Sequence, residues 1–186
     1  IISRVRAKVK KRLKCKKAEL LEAECMNITS LDTQFDTLVA PKVDIVFFQE
    51  HKVKLKGRKK FRTMLNEAGW KVHVSPCSEG GKKAAAGVGA MWREDKVQVH
   101  AEKIKDPELQ EARLQGMVER YIVDVGWPDP YAIYNIYGKS GGSGVHVATT
   151  EAMLIASRRD MRMGVSYPFI VLGDFNATPH RLGPVR

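Results

Sequence analysis

The chain has 186 residues, a hydrophobic content of 44% and a formal net charge of +11. This length and composition predict one globular domain with a sizeable core. No apolar run approaches the ~18 residues of a membrane-spanning helix, so we expect no membrane partner. The three cysteines are scattered, without a Cys-x-x-Cys spacing, which favours reduced thiols in a reducing compartment over a zinc site or a disulfide framework.

The positive charge is concentrated in two segments. Residues 1–17 hold nine Lys or Arg and no acid, so the rest of the chain carries a net charge of only +2. Residues 51–62 (HKVKLKGRKKFR) hold seven more Lys or Arg without an acid. Such segments bind phosphate backbones through counterion release. For the first segment, a solvated helix face or a localisation tail remains an equal alternative. We interpret residues 1–24 as a basic leader, helical or disordered, and residues 25–186 as the folded domain.

The first predicted elements alternate between strands and helices. The segment CMNIT predicts a short strand, and apolar residues at helical spacing predict a helix between Ser30, as its N-cap, and Pro41. Residues 43–48 (VDIVFF) form a continuous β-branched and aromatic run that is typical of a strand covered on both faces. A helix over 58–68 then ends at Gly69.

Beyond this helix the sequence predicts mainly β structure. Short β-branched or aromatic runs are separated by Gly, Pro or polar turns: WKVHVS, GVGAMW, VQVHA, VERYIVDV and YAIYNIY. A helix over 145–162 and a strand over 169–172 complete the set. This alternation indicates two sheets packed between helices.

Polar groups rich in oxygen follow several predicted strands. Three strands end in MNIT, IVFFQE and FIVLGDFN, and a fourth ends at Tyr137. Strand ends that converge at one edge of an α/β fold form a site. Carboxylate and amide oxygens suit Mg²⁺ or Mn²⁺, which keep several waters and bridge to phosphate. The candidate residues are Asn27, Glu50, Tyr137, Asp174 and Asn176.

Each candidate also has a purely local interpretation. Asn27 could cap a turn, and Glu50 could pair with Lys52 or Lys54. Asp174 and Asn176 could close an Asx turn before Pro179. The order and spacing of all these residues together favour a shared site.

Five segments resemble successive motifs of the endonuclease/exonuclease/phosphatase superfamily: NITSL, VDIVFFQEHK, GVGAMW, YNIYGKSGG and FIVLGDFNATP. GDFNATP with the NITSL start is most similar to the endonuclease domains of non-LTR retrotransposons. The resemblance implies an α/β fold, a four-layer α/β/β/α sandwich with two mixed sheets face to face. It also implies hydrolysis of phosphodiesters in nucleic acid, DNA in particular, with Mg²⁺ or Mn²⁺ as cofactor. A phosphatase or a phospholipid phosphodiesterase of the same fold is the alternative within the enzyme class.

The resemblance also implies a role for each candidate. Glu50 would bind the metal, and Asn27 would help to hold it. Tyr137 would contact the scissile phosphate, Asp174 would orient or deprotonate the attacking water, and Asn176 would hold the phosphate. For nucleic-acid binding we select Lys52, Lys54, Arg58 and Lys59 of the second basic segment, and Lys82 and Lys83 of a basic loop predicted over residues 78–87 (SEGGKKAAAG).

The sequence departs from the family pattern at several points. Gly138-Lys139-Ser140 stands where the family has a Pro-Asn segment after the tyrosine, and Thr29 replaces a polar or acidic residue. The family's C-terminal aspartate and closing Ser-Asp-His have no match before Arg186. We therefore expect a C-terminally truncated chain with an incomplete second sheet and impaired hydrolysis.

Two further expectations concern the whole product. A catalytically dead fragment that binds nucleic acid through its basic segments is the alternative from a different functional class. The resemblance to retrotransposon endonucleases also implies an intracellular, nuclear protein that is fused to a reverse transcriptase in its full-length form.

Overall fold

The structure is a computed structural model that describes residues 5–9, 21–29, 31–78, 85–126, 128–141, 143–164, 167–177 and 182. The described residues form nine strands and four α-helices. The strands are β1 Val5–Val9, β2 Leu21–Asn27, β3 Ile45–Gln49, β4 Lys71–Val74, β5 Val88–Trp92, β6 Gln98–Glu102, β7 Val118–Asp124, β8 Tyr131–Tyr137 and β9 Phe169–Asp174. The helices are α1 Leu31–Val39, α2 Arg58–Glu67, α3 Pro107–Leu114 and α4 Gly144–Arg162.

These strands form two mixed sheets. The first sheet has the order β1-β2-β3-β5-β4 and the second the order β6-β7-β8-β9. Within them β2 and β3 are parallel, as are β8 and β9, while the other neighbouring strands are antiparallel. The predicted α/β fold with two mixed sheets is confirmed.

The core is divided among three hydrophobic clusters that define four layers. One cluster packs α1 and α2 against the first sheet, and another packs α3 and α4 against the second. The third cluster lies between the sheets and includes Phe47 and Tyr121, whose rings are 5.8 Å apart. Helices therefore cover both outer faces, as the four-layer sandwich requires.

Strand β3 shows why its sequence is a continuous apolar run. All five of its residues are buried. Ile45 and Phe47 belong to the cluster between the sheets, whereas Val46 and Phe48 belong to the cluster under the helices. Because side chains alternate between the two faces of a strand, a strand covered on both sides carries apolar residues on both faces, and in β3 the last residue, Gln49, is the polar exception.

Helix α3 was not predicted from the sequence. Asp106 caps it by accepting a hydrogen bond from the Leu109 backbone N–H at 3.1 Å, and Pro107 occupies its first turn. Asp followed by Pro is a recognisable helix start. Only Leu109 is buried along this helix, so its apolar periodicity is weak.

The structure corrects the interpretation of residues 1–24 as a helical or disordered leader. Residues 5–9 form strand β1, which pairs antiparallel with β2, and β2 already begins at Leu21. The sequence VRAKV alternates apolar and basic residues, which is the period of a strand, and the edge of β2 offers it a partner. Residues 1–4 and 10–20 of the leader lie outside the described residues, as does the predicted N-cap Ser30.

Among the described residues, no helix combines the length and apolar character needed to cross a membrane.

Candidate active site

The polar strand ends meet at one edge of the two sheets. In the parallel pair β2 and β3, Asn27 is level with Gln49, the residue before Glu50. In the parallel pair β8 and β9, Tyr137 is level with Asp174. The carboxyl ends of these strands are brought together across the sandwich, because the Asn27 Nδ2 amide donates to Asp174 Oδ2 at 2.5 Å.

A tight turn fixes Asp174 relative to Asn176. Asp174 Oδ1 accepts a hydrogen bond from the Asn176 backbone N–H at 3.0 Å, which forms the Asx turn expected from the sequence. The Asn176 side-chain amide then donates to the Gly138 carbonyl at 2.7 Å, and the Gly138 N–H donates to the Asp174 carbonyl at 2.6 Å. Two bonds thus join the turn after β9 to the segment after β8.

Glycine at position 138 is required by this close approach. A Cβ at Gly138 would lie 2.2 Å from the Phe175 carbonyl oxygen and 2.8 Å from Thr150 Oγ1. Side chains cannot occupy such space. The segment Gly138-Lys139-Ser140 departs from the family pattern, and its first residue packs directly against the turn after Asp174.

Glu50 and Tyr137 form the other half of the arrangement. Glu50 has a φ of +62°, a left-handed conformation that costs a non-glycine residue about 1–2 kcal/mol. Its side chain is 18% exposed and pairs with the Lys52 ammonium at 2.9 Å. Burial raises the pKa of Tyr137, the nearby carboxylates of Glu50 and Asp174 raise it further, and a hydrogen bond with Ser140 partly offsets this. Both carboxylates therefore act on the same phenol.

The local interpretations of these residues hold at the same time. Asn27 Oδ1 accepts from the Thr29 N–H at 3.0 Å and so caps a turn, while Glu50 forms the ion pair with Lys52. These bonds use only part of each side chain, because Asn27 still donates to Asp174. Local roles and a shared site are compatible here.

The converging side chains offer a divalent metal only oxygen ligands, from Glu50, Asp174 and Asn27. Within the described part of the chain, no group of three or more His, Cys, Asp or Glu residues could hold a metal ion. A cationic group, the Lys52 ammonium, already contacts the Glu50 carboxylate. This set fits a hard cation that keeps most of its waters, which is how Mg²⁺ binds to one or two carboxylates.

A basic groove with a volume of about 1320 Å³ adjoins these residues. Glu50 and Tyr137 form part of its lining. Its lysines are Lys52, Lys54, Lys56, Lys60 and Lys139. The predicted nucleic-acid contacts Lys52 and Lys54 are therefore in the groove, whereas Arg58 and Lys59 do not line it. Lys82 and Lys83 lie outside the described residues.

Sequence reasoning missed three of the groove lysines. Lys56 and Lys60 belong to the same basic segment as Lys52 and are four residues apart, so they could have been selected by helical spacing. Lys139 comes two residues after Tyr137, in the segment that departs from the family pattern. Nothing in that segment predicted a role in nucleic-acid binding for Lys139.

His51 contributes to the wall of the groove. It is only 1% exposed, and its Nδ1 accepts a hydrogen bond from the Val53 N–H at 2.9 Å. Burial lowers the pKa of His51 to about 3, with Arg58 as the next contributor. The ring packs so closely on Gly87 that a Cβ there would lie 2.4 Å from its Cε1 atom. A neutral histidine thus anchors the segment that leads into β5.

The sequence of residues 29–186 matches the model of the Endonuclease/Exonuclease/phosphatase family. Because this match covers most of the chain, the chain belongs to that family. The family part of the resemblance is thereby confirmed. No curated protein matches the chain significantly.

Several solved structures share the fold at low sequence identity. The AP endonuclease LMAP from Leishmania major gives a TM-score of 0.58 at 16% identity, covering 80% of this chain and 53% of that one. ANGEL2, described as a 2′,3′-cyclic phosphatase, gives 0.54 at 16%, covering 83% and 53%. The human Nocturnin catalytic domain with bound sulfate gives 0.52 at 16%, covering 78% and 56%. These likenesses establish the fold alone, and the chain spans about half the length of these structures.

Proposed function

We propose that this chain is the part of a metal-dependent endonuclease that holds the first half of its catalytic centre. The observation that carries the proposal is the convergence of Asn27, Asp174, Glu50 and Tyr137 beside a groove that contains five lysines. Carboxylates next to a basic groove suit a substrate whose negative charge extends along a chain of phosphates.

The metal would be held by Glu50, with Asn27 and Asp174 contributing directly or through water. When bound, Mg²⁺ or Mn²⁺ would polarise the phosphate and neutralise charge in the transition state. The side chains of the protein would position the phosphate and activate the attacking water. The Asp174 carboxylate, oriented by N–H groups of Asn27 and Asn176, would orient the attacking water and accept its proton.

Tyr137 and Asn176 would position the phosphate. The raised pKa of Tyr137 keeps its hydroxyl protonated at neutral pH, so that it can donate to a phosphate oxygen. The Asn176 amide is already oriented by its bond to the Gly138 carbonyl and can donate a second hydrogen to the same group. Two fixed donors favour the charge that develops on the phosphate oxygens.

The choice of nucleic acid over a small head group rests on the basic groove. Lys54, Lys56 and Lys60 line the groove together with Lys52 and Lys139, and so many cations in one groove suit a polymer better than a single phosphate. The motif GDFNATP supports common ancestry with the endonucleases of non-LTR retrotransposons. A reverse-transcriptase fusion, DNA as substrate and a nuclear location follow from that lineage and form part of the proposal.

A second candidate function is nucleic-acid binding without cleavage. It is favoured by the Glu50–Lys52 ion pair, because an ammonium at the metal-binding carboxylate weakens its attraction for a divalent ion. In that case the groove would still bind nucleic acid, but the carboxylates would have no role in hydrolysis.

The test is nicking of supercoiled plasmid by the purified chain with Mg²⁺, Mn²⁺ or EDTA. We expect slow, metal-dependent nicking that Asp174→Asn lowers by about 100-fold or more. Asp95→Asn, which changes an exposed carboxylate in the turn before β6, is the matched control and should nick like the wild type. Salt-sensitive binding with equal background nicking in the wild type and Asp174→Asn would favour the second candidate and contradict hydrolysis.

A further inference from the structure

A buried pair of amides connects the two sheets just behind the candidate site. Gln49 ends β3 and Asn135 lies in the middle of β8, and their side chains are 1% and 0% exposed. Gln49 Nε2 donates to Asn135 Oδ1 at 2.6 Å. These residues directly precede the site on each sheet: Glu50 follows Gln49, and Tyr137 is two positions beyond Asn135.

The orientation of both amides is determined by their surroundings. Asn135 Nδ2 donates to the Phe48 carbonyl at 3.1 Å and to the Gly89 carbonyl at 2.9 Å, so Asn135 Oδ1 must face Gln49 as an acceptor. Gln49 must then present its NH₂ group, and its second hydrogen reaches Cys25 Sγ at 3.2 Å. A single arrangement therefore satisfies the donors of the pair.

This arrangement carries a stability cost that simple packing would avoid. Gln49 Oε1 is buried without a hydrogen-bond partner, and such a group costs roughly 1–3 kcal/mol. Apolar side chains at both positions would remove that cost, whereas an apolar side chain at position 49 alone would leave Asn135 Oδ1 without its donor. The pair nevertheless gives the two sheets one defined spacing, which nondirectional packing between them does not specify.

We propose that Gln49 and Asn135 are positioning residues that set the spacing between Glu50 on the first sheet and Tyr137 on the second. The effect of this pair on catalysis rests on the proposed function, whereas the effect of the pair on the spacing between the sheets does not. In the proposed reaction, Glu50 must hold the metal at the phosphate that Tyr137 contacts. A misplacement of ~1 Å between such groups costs about 100-fold in rate.

The experiment measures the distance between the Glu50 carboxylate and the Tyr137 hydroxyl, because this distance reports the spacing without any need for turnover. It is measured in crystal structures of the wild type and of each variant, and kcat and KM are measured on the same proteins. The key variant is Gln49→Met, which keeps the side-chain volume and removes the donor to Asn135 Oδ1.

For Gln49→Met we expect a longer distance between Glu50 and Tyr137, a loss of about 10- to 100-fold in kcat and little change in KM. Stability should stay close to the wild type, because one unpaired buried oxygen replaces another. Leu109→Ala is the destabilised control. It removes a fully buried side chain of α3, which packs on the outer face of the second sheet and not between the two sheets. It should unfold more easily and leave the distance between Glu50 and Tyr137 unchanged. If Gln49→Met fails to fold, Asn135→Ser carries the same test, since it retains a hydroxyl but cannot span the gap.

The outcomes separate the two proposals. A Glu50–Tyr137 distance and a kcat that stay at wild-type values in the folded variant would overturn the positioning role. A changed distance in a protein that never cleaves nucleic acid would uphold the positioning role and contradict the proposed function instead.

Discussion

Asn27 and Asp174 are separated by 147 residues in the chain, yet the amide of the first donates to the carboxylate of the second at 2.5 Å. Asn27 belongs to β2 in the first sheet, and Asp174 ends β9 in the second. Neither sheet alone therefore contains the candidate site. Its geometry depends on how the two sheets pack, so that residues in the sandwich interior influence the chemistry at its edge.

The first prediction concerns this bond. Asn27→Ala should lower metal-dependent nicking by about 10- to 100-fold, because groups that orient a reacting or metal-binding side chain typically have effects of this size. The rate is measured on supercoiled plasmid over a range of Mn²⁺ concentrations. Asn66→Ala, at an exposed position of α2, is the control. If Asn27→Ala matches that control, the bond has no functional role.

The second prediction concerns the groove. Replacing both Lys54 and Lys60 with alanine should weaken binding to a fluorescent DNA duplex and reduce its salt dependence. The logarithmic slope should fall by about 0.9 for each duplex phosphate that the protein no longer neutralises. The control replaces Lys96 and Lys103, two exposed lysines outside the groove. Equal slopes in the two double variants would show that the groove does not hold the phosphate backbone.

The third prediction concerns stability at acid pH. Burial lowers the pKa of His51 to about 3 and that of His73 to about 4, from ordinary values of 6.5. Both are neutral in the folded chain, while the unfolded chain takes up their protons below pH 6.5. Stability is therefore complete above pH 6.5 and falls as the pH decreases towards 4, by up to about 1.4 kcal/mol per pH unit for each histidine.

Variants can isolate the share of His73 in this loss. His73→Gln should reduce the difference in the free energy of unfolding between pH 6.5 and 4.5, measured by urea denaturation. His100→Gln changes an exposed histidine of β6 and should behave like the wild type. A His73→Gln protein that loses as much stability as the wild type would show that His73 is charged in the fold.

Much of the fold followed from local patterns in the sequence. Strand β3 was predicted because a strand that is buried on both faces leaves a strong apolar signal. The helix predicted over 145–162 matches α4 to within one residue. Strand β1 was missed, since its basic residues dominate the composition and its pairing with β2 is a tertiary contact. Helix α3 was missed because it buries only one side chain.

The candidate site was predictable as a set of residues but not as a set of contacts. Polar residues at strand ends pointed to Asn27, Glu50 and Asp174 before their geometry was known. The groove lysines depend on where the segment after β3 lies against α2, and the Gln49–Asn135 pair joins strands from different sheets. The residues of this pair are 86 positions apart, so the local periodicity of the sequence contains no information about their contact.

The last prediction tests the close approach between β8 and the turn after β9. Gly138→Ala would place a Cβ 2.2 Å from the Phe175 carbonyl oxygen, and the backbone must move to avoid it. Overpacking of this kind costs about 1–3 kcal/mol of stability. The movement would also break the bonds between Gly138 and the Asp174–Asn176 turn, so nicking should fall by more than the loss of folded protein explains.

Gly144→Ala is the matched control, because a Cβ at the start of α4 meets nothing within 4 Å. Alanine there should leave nicking unchanged and stabilise the chain slightly, since glycine is a poor helix former. Thermal unfolding and plasmid nicking are measured on both variants at the same folded concentration. Because Gly138 contacts Asn176 and Asp174 through its backbone atoms, an active Gly138→Ala protein would show that the turn after β9 does not need its observed position for catalysis.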